Sequence, residues 1–244
     1  MCTTGVGQKF IGRRMTDNRL GIVKFPLYVG SLDCLNEVVC YELGRLFGFD
    51  VVEASLETYN GKDCAISCYN SVDVEVRNDI KTLKAWLGTE NFHQRFSVSW
   101  IREQFGEDSV KKFIQMLMFD YLTRQQDRHI NNIAFTQTHM YSLYDNGRSL
   151  FFDTNEFDRY RKTINFNLPY TIRDSFYNNE HGYAFTYLED VVGYYEYRKY
   201  INIISFEDIQ SIFNKYYNGD LEDKGNWLAE YVWSVYKILL HISF

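Results

Sequence analysis

The first seventy residues contain short β-branched segments and one helical pattern. The segment Gly21–Phe25 is short and β-branched and ends at a proline, which is typical of a strand. Apolar residues from Leu35 to Phe47 recur at helical spacing, with Ser31 or Asp33 available as the N-cap and Gly48 as the stop. The pattern predicts a strand followed by a helix.

A hairpin is predicted next. Val51–Tyr59 and Lys62–Tyr69 are two strand-like segments separated by Asn60-Gly61, which favours the tight turn of a two-residue hairpin. Together with the preceding strand and helix, these segments predict a small mixed α/β lobe over residues 1–70.

The pattern becomes mainly helical over residues 71–244, which predicts a second, larger lobe. The clearest helix is Ser109–Leu122, whose apolar residues form one stripe. Two short apolar segments, Ile133–Phe135 and Met140–Tyr144, suit a small hairpin, and residues 153–180 predict an irregular segment. The other predicted helices are Asp79–Leu87, Tyr183–Tyr200, Phe206–Tyr217 after Ser205 with Asp208 three residues later, and Asn226–Ile242.

Composition favours a folded protein. Of 244 residues, 45% are apolar and 18% aromatic and only two are proline, which is ample for a buried core and argues against disorder. The net charge of −6 gives no overall reason to bind nucleic acid or an anionic membrane. No apolar segment suits a membrane span or a signal peptide, so we expect a cytoplasmic protein, with signal-independent secretion left open.

The five cysteines are odd in number and lack paired C-x-x-C spacing. We therefore expect reduced structural thiols. Cys64 and Cys68 lie four residues apart in a predicted strand, a spacing that disfavours a shared metal ion.

Polar residues with the spacing of a phosphoryl-transfer site follow the predicted helix that ends at Leu122. Asp127 precedes Asn132 by five residues, and Asp145 comes thirteen residues later, across the small predicted hairpin. Phosphoryl transfer needs a carboxylate for the attacking hydroxyl and hard oxygen ligands for Mg²⁺. We therefore predict an ATP- and Mg²⁺-dependent phosphotransferase.

The segment Asp127–Asn132 reads D-R-H-I-N-N, and Tyr144–Leu150 reads Y-D-N-G-R-S-L. The D-R-H-I-N-N segment resembles the D-R-H-x-x-N signature of the HipA-like serine/threonine kinases and, more distantly, of phosphoinositide 3- and 4-kinases. The Y-D-N-G-R-S-L segment is similar to their metal-binding segment. The resemblance implies an α+β, bilobal, protein-kinase-like fold. It makes Asp127 the catalytic aspartate and Asn132 and Asp145 the metal ligands, with a protein hydroxyl as acceptor.

Lys24 and Glu37 stand where kinases keep a phosphate-binding lysine and its carboxylate partner, in a strand and in the next helix. Glu42 on the same helix is an alternative partner. Gly5 and Gly7 are spaced so that backbone amides can approach phosphate oxygens, and their segment resembles the Gly-containing loop of HipA-like kinases.

The analogy also places Ser67, Cys68 and Tyr69 at the hinge, where backbone groups meet the adenine. The chain departs from many relatives at Arg124–Gln126, the approach to the catalytic aspartate. It also lacks the additional N-terminal domain of the HipA toxins, so we expect either a minimal kinase or one subunit of a split system.

Several alternatives follow from the same motifs. A phosphoinositide-type lipid kinase shares the D-R-H-x-x-N loop, and a pseudokinase that binds or regulates a partner protein is the non-enzymatic alternative. Autophosphorylation is expected to use an accessible hydroxyl, for which Thr4, Ser31 and Ser149 are candidates. His129 is expected to brace the loop, whereas Arg128 either pairs with a neighbouring carboxylate or faces water.

Overall fold

A four-stranded antiparallel sheet forms the N-terminal part of the protein in the computed structural model, which describes residues 8–69, 80–88, 96–162 and 197–241. Helix α1 contacts strands β3 and β4 of this sheet. The strands run in the order β1-β2-β4-β3. Their bounds are Lys9–Arg13 for β1, Leu20–Lys24 for β2, Ala54–Tyr59 for β3 and Lys62–Cys68 for β4, and α1 is Asp33–Phe47.

The predicted strand and helix are confirmed by β2 and α1, but the predicted N-cap is wrong. Leu32 occupies the N-cap position and makes no side-chain capping bond. The Asp33 carboxylate instead accepts hydrogen bonds from the Ser31 hydroxyl and from the Leu27 amide, so the two candidate caps bind each other. At the other end, Gly48 takes the left-handed conformation (φ 80°) that ends the helix.

The hairpin is confirmed, with Tyr59 paired to Lys62 across the turn. Asn60 and Gly61 have φ of 50° and 71°. A two-residue turn with two positive φ values matches the right-handed twist of the strands, which explains why Asn-Gly is favoured there.

The longest helix described after residue 70 is α3, Val98–Thr123, which contains the predicted Ser109–Leu122 and is interrupted at Gly106 (φ 78°). The helix predicted over Asp79–Leu87 is much shorter in the structure. Asp79 lies outside the described residues, and of residues 80–87 only Leu83–Leu87 is helical (α2), because Lys81–Thr82 (β5) pairs with Ala134–Phe135 (β6).

The small hairpin predicted over residues 133–144 forms only in part. Phe135 makes an antiparallel bridge with Met140, and the Tyr141 amide donates to the Ala134 carbonyl at 2.9 Å. Leu143 instead bridges Val51, so residues 140–144 are not one continuous strand.

The C-terminal helices pack on α1 and α3. The segment predicted to be irregular contains helix α4, Thr154–Arg161, and its remainder from residue 163 lies outside the described residues, as does most of the helix predicted over 183–200. Tyr197–Tyr200 is a 3₁₀ helix. The capping box of Ser205 and Asp208 is confirmed at the start of α5, Phe206–Tyr216, and α6, Glu222–His241, follows the 3₁₀ helix Gly219–Leu221.

One large apolar core joins these helices, and Leu43, Phe119, Phe213 and Tyr236 are completely buried in it. The four cysteines within the described ranges are free and buried, as expected. No helix in the described parts of the chain is both long and apolar enough to span a membrane. Residue 70, the predicted lobe boundary, lies outside the described residues, so that boundary stays a prediction.

Candidate active site

The last residue of β2 and the second turn of α1 form a buried ion pair. The Lys24 ammonium binds the Glu37 carboxylate at 2.7 Å (Nζ–Oε2), and the Ser67 hydroxyl donates to the other oxygen of Glu37 at 3.3 Å. Glu42, the alternative partner, instead binds Lys215 and the Tyr216 hydroxyl. Glu37, and not Glu42, is therefore the carboxylate partner of Lys24.

The carboxylate of Asp145 lies between two ammonium groups. Lys24 Nζ is 3.0 Å from Oδ1, and Lys9 Nζ is 3.0 Å from Oδ2. Burial alone would lower the pKa of Lys24, but the carboxylates of Asp145 and Glu37 outweigh it and raise this pKa above its usual value. Burial would likewise raise the pKa of Asp145, but Lys24 and Lys9 hold it below its usual range.

The backbone around Asp145 is held in a strained conformation. Asp145 has φ 56°, a left-handed value that costs a residue with a Cβ about 1–2 kcal/mol. Its carbonyl accepts a hydrogen bond from the Gln125 side chain at 3.2 Å, and the Ser149 carbonyl accepts one from Asn36 at 2.6 Å. Gly147 passes so close to α1 that a Cβ there would lie 2.7 Å from the Asp33 carbonyl oxygen. The neighbouring chain therefore fixes this segment at several points.

Asp127 and Asn132 are joined within their loop. The Asn132 Nδ2 donates to the Asp127 carbonyl at 2.7 Å, and the Asp127 amide donates to the Gln125 side chain at 3.0 Å. Because the Asn132 nitrogen is used in this way, its Oδ1 is the end that can accept or coordinate. The Asp127 carboxylate is partly exposed, with the Arg148 guanidinium at 3.6 Å and the His129 imidazole at 3.9 Å.

Arg128 connects this loop to the Asp145 segment from inside the core. Its side chain is 0% exposed and pairs with Asp120 of α3 at 3.0 Å. The remaining guanidinium donors reach the Asn132 carbonyl at 3.1 Å, the Tyr144 carbonyl at 2.9 Å and the Asn146 side chain at 2.7 Å. Of the two alternatives for Arg128, pairing with a carboxylate is therefore the one that the structure confirms.

Residues 1–155 match the family model described as the HipA-like C-terminal domain, which is well over half of the chain. The chain belongs to this family. The predicted resemblance is thus confirmed. No curated protein matches the sequence of this HipA-like chain.

Solved structures share its fold. The proinflammatory kinase CtkA of Helicobacter pylori matches with a TM-score of 0.68 and 17% identity, over 99% of this chain and 92% of CtkA. HipA of Shewanella oneidensis MR-1, solved with HipB and operator DNA, matches with a TM-score of 0.52 and 13% identity, over 98% of this chain and 64% of HipA. The predicted α+β kinase-like fold is therefore confirmed, and the family and fold support a protein kinase type.

Three side chains that were predicted to share a site do meet in this HipA-like domain, namely Lys24, Glu37 and Asp145. Asp127 and Asn132 also contact each other. Their roles stay predictions.

The remaining predicted residues have a different status. Gly5 and Gly7 lie outside the described residues. In the segment Ser67–Tyr69, whose backbone groups were predicted to meet the adenine, the Cys68 and Tyr69 amides donate to the carbonyls of Glu53 at 2.8 Å and Leu20 at 2.9 Å. Both amides therefore already donate to backbone carbonyls of the protein.

Two candidates for autophosphorylation are not accessible, and this part of the prediction is wrong. Ser149 is completely buried and Ser31 is 8% exposed, because both lie where the segment after Asp145 and the start of α1 meet the core. Thr4 lies outside the described residues.

Three residues near the site were missed by sequence reasoning. Lys9 reaches Asp145 because it is the direct cross-strand partner of Lys24, and alternation along β1 could have suggested its face. Gln125 lies in the unusual approach to Asp127, where its polarity was a signal. Arg148 is separated from Asp127 by twenty-one residues, and nothing in the local pattern indicates their contact.

Proposed function

We propose that this protein is an Mg²⁺-ATP-dependent serine/threonine protein kinase of the HipA-like type. The observation that carries the proposal is the contact of Lys24 with both Glu37 and Asp145, next to a loop that holds Asp127 and Asn132. This arrangement brings a cation for phosphates, oxygen ligands for a metal and a carboxylate for the acceptor into one region.

The side chains present fit Mg²⁺-ATP. The carboxylate of Asp145 and the amide oxygen of Asn132 are the hard oxygen ligands that Mg²⁺ prefers, and the metal normally retains water and phosphate ligands beside them. Lys24 and Lys9 supply two ammonium groups beside Asp145 for the phosphate oxygens. When bound, Mg²⁺-ATP supplies the phosphoryl group and neutralises charge on its oxygens.

Glu37 keeps Lys24 oriented, since one ammonium hydrogen is directed to the carboxylate at 2.7 Å. The surroundings keep Asp145 ionised at neutral pH, because its pKa lies below the usual range. The left-handed backbone at Asp145 and the Gln125 bond to its carbonyl fix the direction of the carboxylate before any ligand binds.

Asp127 is proposed to orient the acceptor hydroxyl and to accept its proton. Its side chain is 29% exposed, so an alcohol of a protein substrate can approach it, while its backbone is fixed on both sides by Gln125 and Asn132. Arg148 and His129 lie beside the carboxylate and are proposed to position it.

Transfer of radiolabel from ATP to the chain itself and to a protein mixture tests the proposal. We expect Asp127→Asn and Asp145→Asn to lower the initial rate at least about 100-fold, the usual size of a lost general base or metal ligand. Asp108→Asn, at an exposed position of α3, serves as the matched control and should retain the parental rate.

Full activity of either site variant would refute these roles. A parallel reaction with phosphoinositide vesicles distinguishes a protein kinase from a lipid kinase. Label found in the lipid and not in protein would identify the enzyme as a lipid kinase. An inactive parent that also gains no thermal stability from Mg²⁺-ATP would favour the pseudokinase alternative.

A further inference from the structure

An open groove of about 1210 Å³ lies between the start of α1, the loop after β2 and the β3–β4 hairpin. Its apolar walls come from Phe25 and Val29 of the loop, Leu35 of α1 and Leu56 of β3. Large exposed apolar side chains are uncommon in the described parts of the chain. Six are found, and three of them, Tyr28, Val29 and Leu56, line this groove.

The exposure of the apolar side chains in this groove favours a protein-binding surface. Val29 is fully exposed, and Tyr28 and Leu56 are 43% and 44% exposed. Single exposed apolar residues are ordinary, but several around one concave surface are typical of protein-binding sites. A volume above the usual range of small-molecule pockets fits an extended segment of another protein better than a compact metabolite.

The charge around the groove selects the kind of segment. Glu57 and Asp63 line it together with one cation, Lys62. The two carboxylates accept hydrogen bonds only of the neutral kind, from Ser55 and Thr58, and neither forms an ion pair with another described residue. A basic side chain of a ligand would therefore meet a carboxylate that is not yet neutralised, whereas an acidic ligand would be repelled.

We propose that this groove docks a partner-protein segment that carries apolar anchor residues flanked by lysine or arginine. The anchors would cover Leu35, Leu56 and Val29, and the basic flank would pair with Glu57 and Asp63. The proposal goes beyond the kinase function, since the groove is formed without Asp127 or Asp145 and its occupancy can be measured without ATP.

The walls of the groove are bonded to the candidate active site. The Cys34 thiol, in the first turn of α1, donates to the Lys24 carbonyl at 3.3 Å. The Tyr28 hydroxyl donates to Asp153, eight residues after Asp145, at 2.9 Å. A segment docked here would thus contact α1, which carries Glu37, and the loop after β2, which is bonded to Asp153 through Tyr28.

Fluorescence anisotropy on the full chain tests the docking with a defined probe. The probe is a labelled twelve-residue peptide with phenylalanine and leucine at alternate central positions and two lysines at each end. Its twin carries glutamate in place of every lysine. We expect the lysine peptide to bind in the micromolar range and the glutamate twin to bind at least about tenfold more weakly.

Two variants, at the exposed Leu56 and at the half-buried Glu57, connect binding to the groove. Leu56→Asp removes an apolar anchor contact, and Glu57→Lys reverses one charge, so each should weaken the lysine peptide at least about tenfold. Glu57→Lys should in addition strengthen the glutamate twin. Glu103→Lys, on the exposed surface of α3, is the matched charge control and should change neither affinity.

The proposal is overturned by equal affinity for the two peptides, by an unchanged affinity in Leu56→Asp, or by no binding of the lysine peptide at millimolar concentration. Circular dichroism of each variant establishes that it is folded. Should Leu56→Asp fail to fold, the exchange of peptide preference in Glu57→Lys decides the question by itself.

Discussion

Lys9 and Lys24 are direct cross-strand partners, and their ammonium groups bind the two oxygens of the same carboxylate, that of Asp145. The two lysines are not equivalent. The Lys24 side chain is 9% exposed and is held from a second side by Glu37, whereas the Lys9 side chain is 20% exposed. We therefore expect different consequences when each is removed.

Replacing Lys24 should abolish most transfer activity, while replacing Lys9 should have a smaller effect. We expect the rate to fall at least about 100-fold in Lys24→Met and about tenfold in Lys9→Met, because the more buried cation interacts with phosphate at lower effective dielectric. Initial rates of label transfer measure this, with the exposed Lys84→Met as control. A larger loss in Lys9→Met than in Lys24→Met would contradict this ranking.

The stability that Asp145 contributes should depend on pH. Its pKa in the folded protein lies below the usual value near 3.9, so its contribution is complete above about pH 5 and is lost as the pH falls toward the folded pKa. We expect the free energy of unfolding of the parent to exceed that of Asp145→Asn by on the order of 2 kcal/mol at pH 7 and by less at pH 3.5. Urea unfolding at several pH values measures the difference, and a constant difference would argue against the cause given.

The pair of Arg128 and Asp120 should be essential for folding stability. Asp120→Asn leaves a buried guanidinium without its countercharge, which typically costs about 3–5 kcal/mol. The urea midpoint should fall accordingly. The exposed pair of Arg102 and Glu107 is the matched control, and Arg102→Gln should leave the midpoint unchanged. An equal fall of the urea midpoint in Asp120→Asn and Arg102→Gln would show that the burial of an ion pair does not determine its contribution to stability.

Gly147→Ala should disturb the site through the backbone. The added Cβ would lie 2.7 Å from the Asp33 carbonyl oxygen, so the segment after Asp145 must move away from α1, at a cost of about 1–3 kcal/mol. Activity should fall together with stability. Gly225→Ala creates a similar overlap with Tyr217, which reaches the segment after Asp145 indirectly, through Asn36. It should therefore lower the melting temperature with a smaller loss of kcat than Gly147→Ala.

Arg148→Ala tests the contact with Asp127. Because the guanidinium lies 3.6 Å from the carboxylate that is proposed to receive the proton, we expect kcat to fall about tenfold and the KM for ATP to stay unchanged. Arg148→Lys keeps the charge and should recover part of the loss. An increase in the KM for ATP with an unchanged kcat would assign Arg148 to nucleotide binding instead.

Local patterns were sufficient for the elements that carry Lys24 and Glu37, because strand and helix periodicity are properties of neighbouring residues. They were also sufficient for the hairpin at Asn60-Gly61, whose turn conformation those two residues favour by themselves. The choice between Glu37 and Glu42 was not available from the sequence. It depends on α5, which brings Lys215 to Glu42 and leaves Glu37 for Lys24.

Several of the missed features depend on contacts outside the local pattern, whereas others are local hydrogen bonds that compete with the predicted one. Lys81–Thr82 is a strand instead of a helix start because Ala134–Phe135 lies beside it, more than fifty residues later. Ser31 is not a cap because its hydroxyl bonds to Asp33 instead. Arg128 could have faced water, and its burial follows from the position of Asp120 on the core side of α3.

The pairing of β1 with β2 restricts the insertions and deletions that these two strands can accept. Side chains alternate between the two faces of a strand, so inserting or deleting one residue between Lys9 and the turn would move Phe10 to the side of Asp145 and turn Lys9 away. The connection from Arg14 to Arg19 is outside this alternation, but ion pairs of both arginines with Glu53 and of Arg14 with Asp17 hold it in place. Relatives that retain the two-lysine arrangement should therefore change the length of these two strands only by pairs of residues.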